Sequence, residues 1–211
     1  MNLYERNQKQ RTFFNKKIDS YDDVHNTYME TKKTLADNLD KDAKKILDLG
    51  AGTGLELIHL FKLFPSAEVT VIDISENMLE KLKKRSFANH VSTICGDFFE
   101  VEFGENYDAV ISTSALHHFK YEEKLKLYKK ILECLKENGQ FINCDKIAQT
   151  QEIEDSQLYE LENNIENHNH IDTPLTIEHE IEVLKRVGFI EITSSNVDKE
   201  DYSLIKARKM K

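Results

Sequence analysis

Residues 46–54, ILDLGAGTG, decide the fold of this chain. Ile46 to Leu49 are apolar enough for a short buried strand, and Leu55 to Phe64 follow with a helical pattern. Between them, glycines stand at positions 50, 52 and 54. Glycine allows positive φ and a close approach of the backbone to a ligand, and the start of the next helix offers N–H groups. The stretch therefore predicts a strand, a ligand-binding loop and a helix, although a plain turn would need fewer glycines.

Composition limits the class of protein. A chain of 211 residues with 39% apolar and 32% charged residues suits one soluble domain with a hydrophobic core. Its 29 basic and 38 acidic residues give a net charge of −9, which disfavours general binding to nucleic acid. Its apolar runs are too short to span a bilayer and its amino-terminal stretch is polar, so we expect a cytoplasmic protein. The three cysteines fit no zinc or redox spacing.

From residue 46 onward, strand patterns alternate with helix patterns. Strands are expected at 46–49, 68–72, 91–95, 107–112, 140–144, 189–195 and 201–209. Helices are expected at 55–64, 76–85, 121–136 and 177–187, with Ser75 and Thr176 as N-caps and Gly188 as a C-terminal stop. This order predicts an α/β fold: a three-layer αβα sandwich with a mostly parallel seven-stranded sheet and an antiparallel edge strand.

Two stretches fall outside this alternation. Residues 1–45 contain no strand pattern and are expected to form an N-terminal helical cap, broken near residues 19–23, on a domain at 46–211. Residues 147–175 are polar and are expected to form a substrate-cap insertion, part helix and part loop. Both stretches could cover a binding pocket.

The cap and the insertion each supply candidate residues. Tyr21, His25 and Tyr28 are predicted to bind substrate as part of a lid, although they could simply cover one face of the domain. His168 and His170 in the insertion have no recognised zinc spacing. We therefore expect a solvated insertion there and no metal ion.

Polar residues stand where the predicted parallel strands end. Asp48 lies near the end of the first strand, Asp73 ends the second, Asp97 follows the third and Ser112 ends the fourth. Ligands of open α/β sheets bind at the carboxyl ends of strands. Asp73 comes about 20 residues after Gly50, a spacing that suits a carboxylate accepting hydrogen bonds from ribose hydroxyls.

The glycine spacing differs from a dinucleotide fingerprint, whose third glycine comes one residue later. ILDLGAGTG instead resembles the first motif of the class I, seven-stranded S-adenosylmethionine-dependent methyltransferases. Later segments match further motifs of that family in order: VTVIDISENML (69–79), GDFFE (96–100), YDAVISTSALHHF (107–119) and LKENGQFI (135–142). The resemblance extends over roughly residues 40–209. It implies S-adenosyl-L-methionine as cofactor and S-adenosyl-L-homocysteine as product.

The resemblance also implies roles for individual residues. The expected cofactor-binding residues are Asp48, Gly50, Ala51, Gly52, Asp73, Ile74, Met78, Asp97, Phe98 and Ser112. Asp73 would hold the ribose hydroxyls and Asp97 the adenine amino group. Asp48 would orient the loop or meet the ammonium group of the ligand.

His117 and His118 follow the fourth strand and are the candidates for a general base. Histidine titrates near neutral pH and is the side chain used most often for this purpose. His117 is also a candidate for substrate binding. The alternative is that the pair only packs the loop.

We expect methyl transfer to a small-molecule acceptor by in-line displacement at the sulfonium, in a monomer or homodimer that needs no membrane. The fourth strand ends in STSA (112–115) rather than the Asn/Asp-Pro-Pro-aromatic segment of many nucleic-acid and protein amino-group methylases. That difference and the acidic charge make a nucleic-acid substrate unlikely. An RNA (tRNA base) methyltransferase, a non-catalytic S-adenosylmethionine-binding module and a nicotinamide-dependent reductase are the alternatives.

Overall fold

A computed structural model describes residues 1–25, 29–163, 172–197 and 201–211. The helices are α1 (Leu3–Lys17), α2 (Tyr21–His25), α3 (Met29–Asp37), α4 (Leu55–Leu63), α5 (Glu76–Leu82), α6 (Tyr121–Cys134), α7 (Gln151–Asn163) and α8 (Ile177–Val187). The strands are β1 (Lys45–Leu49), β2 (Glu68–Asp73), β3 (Val91–Cys95), β4 (Tyr107–Thr113), β5 (Leu135–Lys146), β6 (Ile190–Asn196) and β7 (Tyr202–Arg208). In this part of the chain no helix is long and apolar enough to cross a membrane.

The strands of the described residues form one seven-stranded sheet in the order β3-β2-β1-β4-β5-β7-β6. The pairs from β3 to β5 are parallel, and β7 is antiparallel to both β5 and β6. The mostly parallel sheet is therefore confirmed. The antiparallel strand β7 is the second strand from the edge, and its mostly buried side chains suit this interior position. Strand β6 is largely exposed and forms the edge itself.

Alternate residues of β1 face opposite sides of the sheet. Leu47 and Leu49 belong to the core cluster that includes α6 and α8. Ile46 belongs to the cluster on the other side, with α3, α4 and α5. Helices therefore cover both faces, which confirms the three-layer arrangement.

Local signals set most helix ends. Ser75 caps α5 and Thr176 caps α8, each by accepting a hydrogen bond from a backbone N–H of the first turn, and Gly188 ends α8 with φ 110°. These predicted caps are confirmed. The break predicted near residues 19–23 falls between α1 and α2, but α1 begins at Leu3 because Asn2 and Glu5 form a capping box.

The predicted helix at 121–136 and the predicted strand at 140–144 have other bounds in the structure. Helix α6 ends at Cys134, and β5 already begins at Leu135. Leu135 pairs with Tyr107, and the register shifts before the next paired residues. Asn138 adopts φ 59°, so the Asn-Gly pair forms an irregularity within the strand rather than a separate turn.

Helices α6 and α8 are joined by a buried ion pair. Lys124 and Glu180 are 1% and 2% exposed and their charged groups are in direct contact. The hydroxyl of Tyr128 donates to Glu180 Oε2 at 2.7 Å. The pair therefore offsets the cost of burying either charge alone.

Replacing Lys124 with methionine is expected to lower the free energy of unfolding by about 3–5 kcal/mol, because it leaves the Glu180 carboxylate buried without its cation. Urea denaturation measures the loss. The matched control is Lys129→Met, whose pair with Glu133 is 71% and 64% exposed and is expected to contribute under about 1 kcal/mol. Similar losses in the two variants would contradict the prediction.

Candidate active site

The carboxyl ends of the parallel strands and the helix α1 line a cavity of about 640 Å³, a volume that includes space open to solvent. Its lining includes these predicted site residues: Tyr21, Gly50, Gly52, Asp73, Ile74, Met78, Asp97, Phe98 and His118. Asp48, Ala51, Ser112 and His117 are buried but are not part of the lining. Tyr28 lies outside the described residues, as does the side chain of His25. The structure thus brings most of the predicted residues to one cavity.

The glycine loop after β1 has no room for side chains. Gly50 has φ +81°, and a Cβ there would lie 2.3 Å from the Cβ of Ala115. Gly52 has φ +52°, and a Cβ there would lie 3.1 Å from the hydroxyl oxygen of Tyr21. Gly50 is therefore required by conformation and by contact, whereas Gly52 is favoured by its conformation and lies close to the movable end of Tyr21.

Asp73 holds the loop in place from the end of β2. Its Oδ2 accepts the N–H of Gly52 and its Oδ1 accepts the N–H of Ser75, each at 2.8 Å. Burial raises the pKa of Asp73 to about 6, although the two backbone donors oppose this shift. Each carboxylate oxygen has a second lone pair, so Asp73 can also accept hydrogen bonds from a ligand in the cavity.

Asp97 is held by the N-terminal helix as well as by its own loop. Its Oδ1 accepts the N–H of Phe99 at 2.9 Å, and its Oδ2 accepts the side-chain amide of Asn7 at 2.6 Å. An amide NH₂ and the amino group of a purine are both neutral donors. The Asn7 amide therefore donates to Asp97 the same kind of hydrogen bond that is expected from the amino group of adenine.

Asp48 lies beneath the glycine loop at 1% exposure. Neither of its carboxylate oxygens meets a hydrogen-bond donor within the part of the chain that the structure describes. Burial and the neighbouring charge of Glu56 raise the pKa of Asp48 well above its usual range. Lys32 lies 3.0 Å from Glu56 and partly offsets this concentration of buried acid.

His117 is fixed by carboxylates on both sides of its ring. Its Nδ1 lies 2.6 Å from Asp145 Oδ1, and its Nε2 lies 3.4 Å from Asp172 Oδ1. Burial alone would lower the pKa of His117, but the two carboxylates raise it to about 9. A histidine that is protonated at neutral pH cannot accept a proton, so this geometry disfavours His117 as a general base.

His118 faces the cavity. Its Nδ1 lies 3.2 Å from the amide nitrogen of Gln10 and 3.4 Å from Asp172 Oδ1. Asp172 lies at the end of the predicted insertion, and the N–H of the next residue, Thr173, donates to the carbonyl of His117 at 2.8 Å. The insertion is therefore attached to the histidine pair.

Sequence reasoning missed two polar residues of the cavity. Asn7, Gln10 and Phe14 all line it from one face of α1. Their spacing is helical, but two of the three are polar, so a search for apolar periodicity does not find them. The capping box at Asn2 and Glu5 was the available signal, because it predicts a helix that includes these residues.

Comparison with known proteins shows similarity between this chain and methyltransferases. Residues 46–139 match the family described as "Methyltransferase domain". A malonyl-[acyl-carrier protein] O-methyltransferase of Priestia megaterium is 31% identical over 126 residues, which are 55% of this chain and 46% of that protein. A carboxy-S-adenosyl-L-methionine synthase of Nautilia profundicola is 29% identical over 172 residues, which are 74% of this chain and 73% of that protein.

The fold is shared along the whole chain with a solved structure described as a DhpI–SAH complex. The TM-score is 0.78, the identity is 16%, and the alignment covers 99% of both chains. By contrast, this chain spans only 39–46% of the length of the malonyl-[acyl-carrier protein] relatives that it matches.

Replacing Asn7 with alanine is expected to lower the free energy of unfolding by about 1–3 kcal/mol, because it removes a donor from the buried carboxylate of Asp97. Denaturation by urea, followed by circular dichroism, measures the change. Asn7→Asp should cost more at pH 7 than at pH 4, where protonation relieves the repulsion between the two carboxylates.

The control is Lys9→Ala, on the exposed side of the same helix. Its effect is expected to stay within about 0.5 kcal/mol. An equal loss in Asn7→Ala and Lys9→Ala would show that the Asn7 amide does not hold α1 on the domain.

Proposed function

We propose that this chain, which is similar to S-adenosylmethionine-dependent methyltransferases in sequence and fold, transfers a methyl group from this cofactor to a small-molecule acceptor. The observation that best supports the proposal is the single cavity that collects the glycine loop, Asp73 and Asp97. A ligand with a ribose, an adenine and a positively charged tail matches this set of backbone and carboxylate groups. S-Adenosylmethionine is such a ligand.

We assign the two cavity carboxylates to the adenosine. Asp73 would accept hydrogen bonds from the ribose hydroxyls through lone pairs that the backbone leaves available. Asp97 would accept from the adenine amino group in the place where it now accepts from Asn7. The side chains of Ile74 and Phe98 supply apolar wall beside these carboxylates.

The buried carboxylate of Asp48 beneath the glycine loop supports binding of a positively charged ligand. Both oxygens of Asp48 lack a hydrogen-bond donor among the described residues, and Glu56 adds a second buried carboxylate. We propose that Asp48 acts from below the loop by its charge, since it does not line the cavity. A positively charged ligand would relieve the repulsion that raises the pKa of Asp48.

When bound, the cofactor supplies a methyl group activated by a sulfonium. The residues of this chain contribute position and exclusion of water, which account for most of what such a displacement needs. His118 lines the cavity and is our candidate for accepting a proton from the acceptor. His117 would hold the loop through its contacts to Asp145 and Asp172.

The enclosure of the cavity favours a small acceptor. Phe14 and Tyr21 line it from the N-terminal helices, so aromatic side chains limit the space beside the cofactor-binding residues. The net charge of −9 is unfavourable for a polynucleotide. One relative is a malonyl-[acyl-carrier protein] O-methyltransferase, so a carrier-bound acyl acceptor belongs in any screen.

Calorimetric titration is expected to show binding of S-adenosylhomocysteine and no binding of NADH. Asp73→Ala should weaken this binding at least about 10-fold, the equivalent of one charge-assisted hydrogen bond. The control Asp37→Ala removes an exposed carboxylate that pairs with His59 and should change nothing. Equal affinity of Asp73→Ala and the wild type would refute the role of Asp73.

The same titration should depend on pH with a defined sign. Asp73 has a pKa of about 6, and hydrogen bonds from ribose hydroxyls stabilise its ionised form. Binding should therefore be full above pH 6 and weaken as the pH falls through 6, by up to about tenfold per unit. Asp73→Asn, which cannot ionise, should bind weakly with a flatter profile, and a profile as steep as that of the wild type would contradict the assignment.

Turnover tests the proposed transfer itself. Incubation of S-adenosylmethionine with a panel of small acceptors is expected to release S-adenosylhomocysteine with at least one of them. Parallel reactions with acyl-carrier-protein thioesters and with tRNA identify the alternative substrates. Binding of S-adenosylhomocysteine without turnover on any acceptor would favour a non-catalytic binding module.

A further inference from the structure

His117, His118 and Asp172 bring three metal-binding atoms together beside the cavity. His117 Nε2 and His118 Nδ1 each lie 3.4 Å from Asp172 Oδ1, and one ligand atom from each of the three residues lies within 4.8 Å of the other two. Both contacts are also hydrogen bonds to Asp172, longer than the about 2.7–3.2 Å of a well-formed N–H···O bond. Ligands at about 2.0–2.1 Å from a tetrahedral ion lie about 3.3–3.4 Å apart. The two contacts to Asp172 therefore have the spacing of metal ligands.

Asp145 holds the ring of His117 in an orientation that suits a metal ligand. Its Oδ1 lies 2.6 Å from Nδ1 of the ring, and its Oδ2 accepts the backbone N–H groups of Leu116 and His117 at 2.7 and 3.1 Å. A metal-binding histidine usually donates its other ring N–H to a carboxylate, which fixes the tautomer. Donation from Nδ1 to Asp145 directs Nε2 at Asp172, and a bound ion would displace the proton that the two carboxylates otherwise stabilise on Nε2.

We propose that His117, His118 and Asp172 form a binding site for a divalent transition-metal ion such as Zn²⁺. Two imidazoles and one carboxylate suit zinc, cobalt, manganese or iron better than they suit calcium or magnesium. The site differs from the sequence expectation of no metal, which considered only His168 and His170. Its ligands come from two distant segments, so no sequence spacing reveals it.

The residues around the three ligands are compatible with an ion. Lys146 contacts the other oxygen of Asp172, Oδ2, at 2.9 Å and leaves Oδ1 directed at the histidines. Gln10 has its amide nitrogen 3.2 Å from His118 Nδ1. Because a half-turn of an amide exchanges its nitrogen and oxygen, Gln10 can present an oxygen at the same place.

The position of the metal site affects which class of acceptor the cavity can bind. His118 lines the cavity, so the ion would lie at its wall. An ion held by three protein ligands keeps a position open for another ligand. With the ion bound, His118 would serve as a ligand and not as the proton acceptor, and the open position would take an oxygen of the acceptor, which favours acceptors with a carboxylate or an acidic hydroxyl. This last step rests on the proposed function, whereas the metal site does not.

Cobalt provides a direct test, because Co²⁺ in a tetrahedral site of nitrogen and oxygen ligands absorbs visible light. The full chain, first freed of metal by a chelator, is titrated with Co²⁺ and followed by absorption, and then with Zn²⁺ by calorimetry. We expect about one ion per chain at saturation. Loss of the visible band on addition of Zn²⁺ would show that both ions use the same site.

Variants locate the site. His118→Ala and Asp172→Asn should each lower affinity for Co²⁺ and Zn²⁺ by more than about 100-fold, and Asp145→Asn, which acts through His117, by about 10–100-fold. His59→Ala is the matched control, because His59 forms an exposed pair with Asp37 at 3.0 Å and should leave affinity unchanged.

Absence of a tetrahedral cobalt band, or equal affinity in His118→Ala, Asp172→Asn and the wild type, would overturn the proposal and leave the cluster as an ion-pair network. Thermal unfolding of the metal-free variants shows which of them are folded, and the affinity is read from those. Titration of the metal-free protein with S-adenosylhomocysteine runs in parallel. Metal binding without cofactor binding would retain the site and refute only its link to the acceptor.

Discussion

The carboxylate of Asp73 is the interaction on which the arrangement of the site depends. It joins the loop after β1 to the turn after β2 by accepting N–H groups from Gly52 and Ser75. The loop can come this close only because Gly50 and Gly52 adopt positive φ and carry no Cβ. Asp73 is therefore a structural residue and a ligand-binding candidate at once, and its burial is the physical reason for its raised pKa.

The helix α1 is attached to the same groups that would bind a ligand. Asn7 donates to Asp97, Gln10 lies against His118, and the Ser75 hydroxyl bonds to Asn15 at 2.7 Å. A ligand that uses Asp97 must share this carboxylate with Asn7 or replace it. Under the proposed function, the position of α1 and occupation of this part of the cavity would thus be coupled through the Asp97 carboxylate.

Sequence reasoning succeeded where a local pattern determines the structure. The strands, the caps at Ser75 and Thr176 and the glycine loop are each specified by a few adjacent residues, so the parallel sheet and the cavity edge could be predicted. It failed where a contact joins distant segments. The Asn7–Asp97 bond and the approach of Asp172 to the histidines depend on how α1 and the insertion pack, which periodicity does not encode.

The charge distribution explains why such a site suits a cationic ligand. Asp48 and Glu56 lie buried beneath the glycine loop, with Lys32 as a partial counterion, and Asp73 lies at its edge. Their negative charges interact in a poorly solvated region, which raises the pKa of Asp48 and of Asp73. Under the proposed function, a bound sulfonium would lower that electrostatic cost, and its conversion to a neutral thioether would restore part of it. The same buried acids that stabilise binding of the methyl donor would therefore favour release of the product.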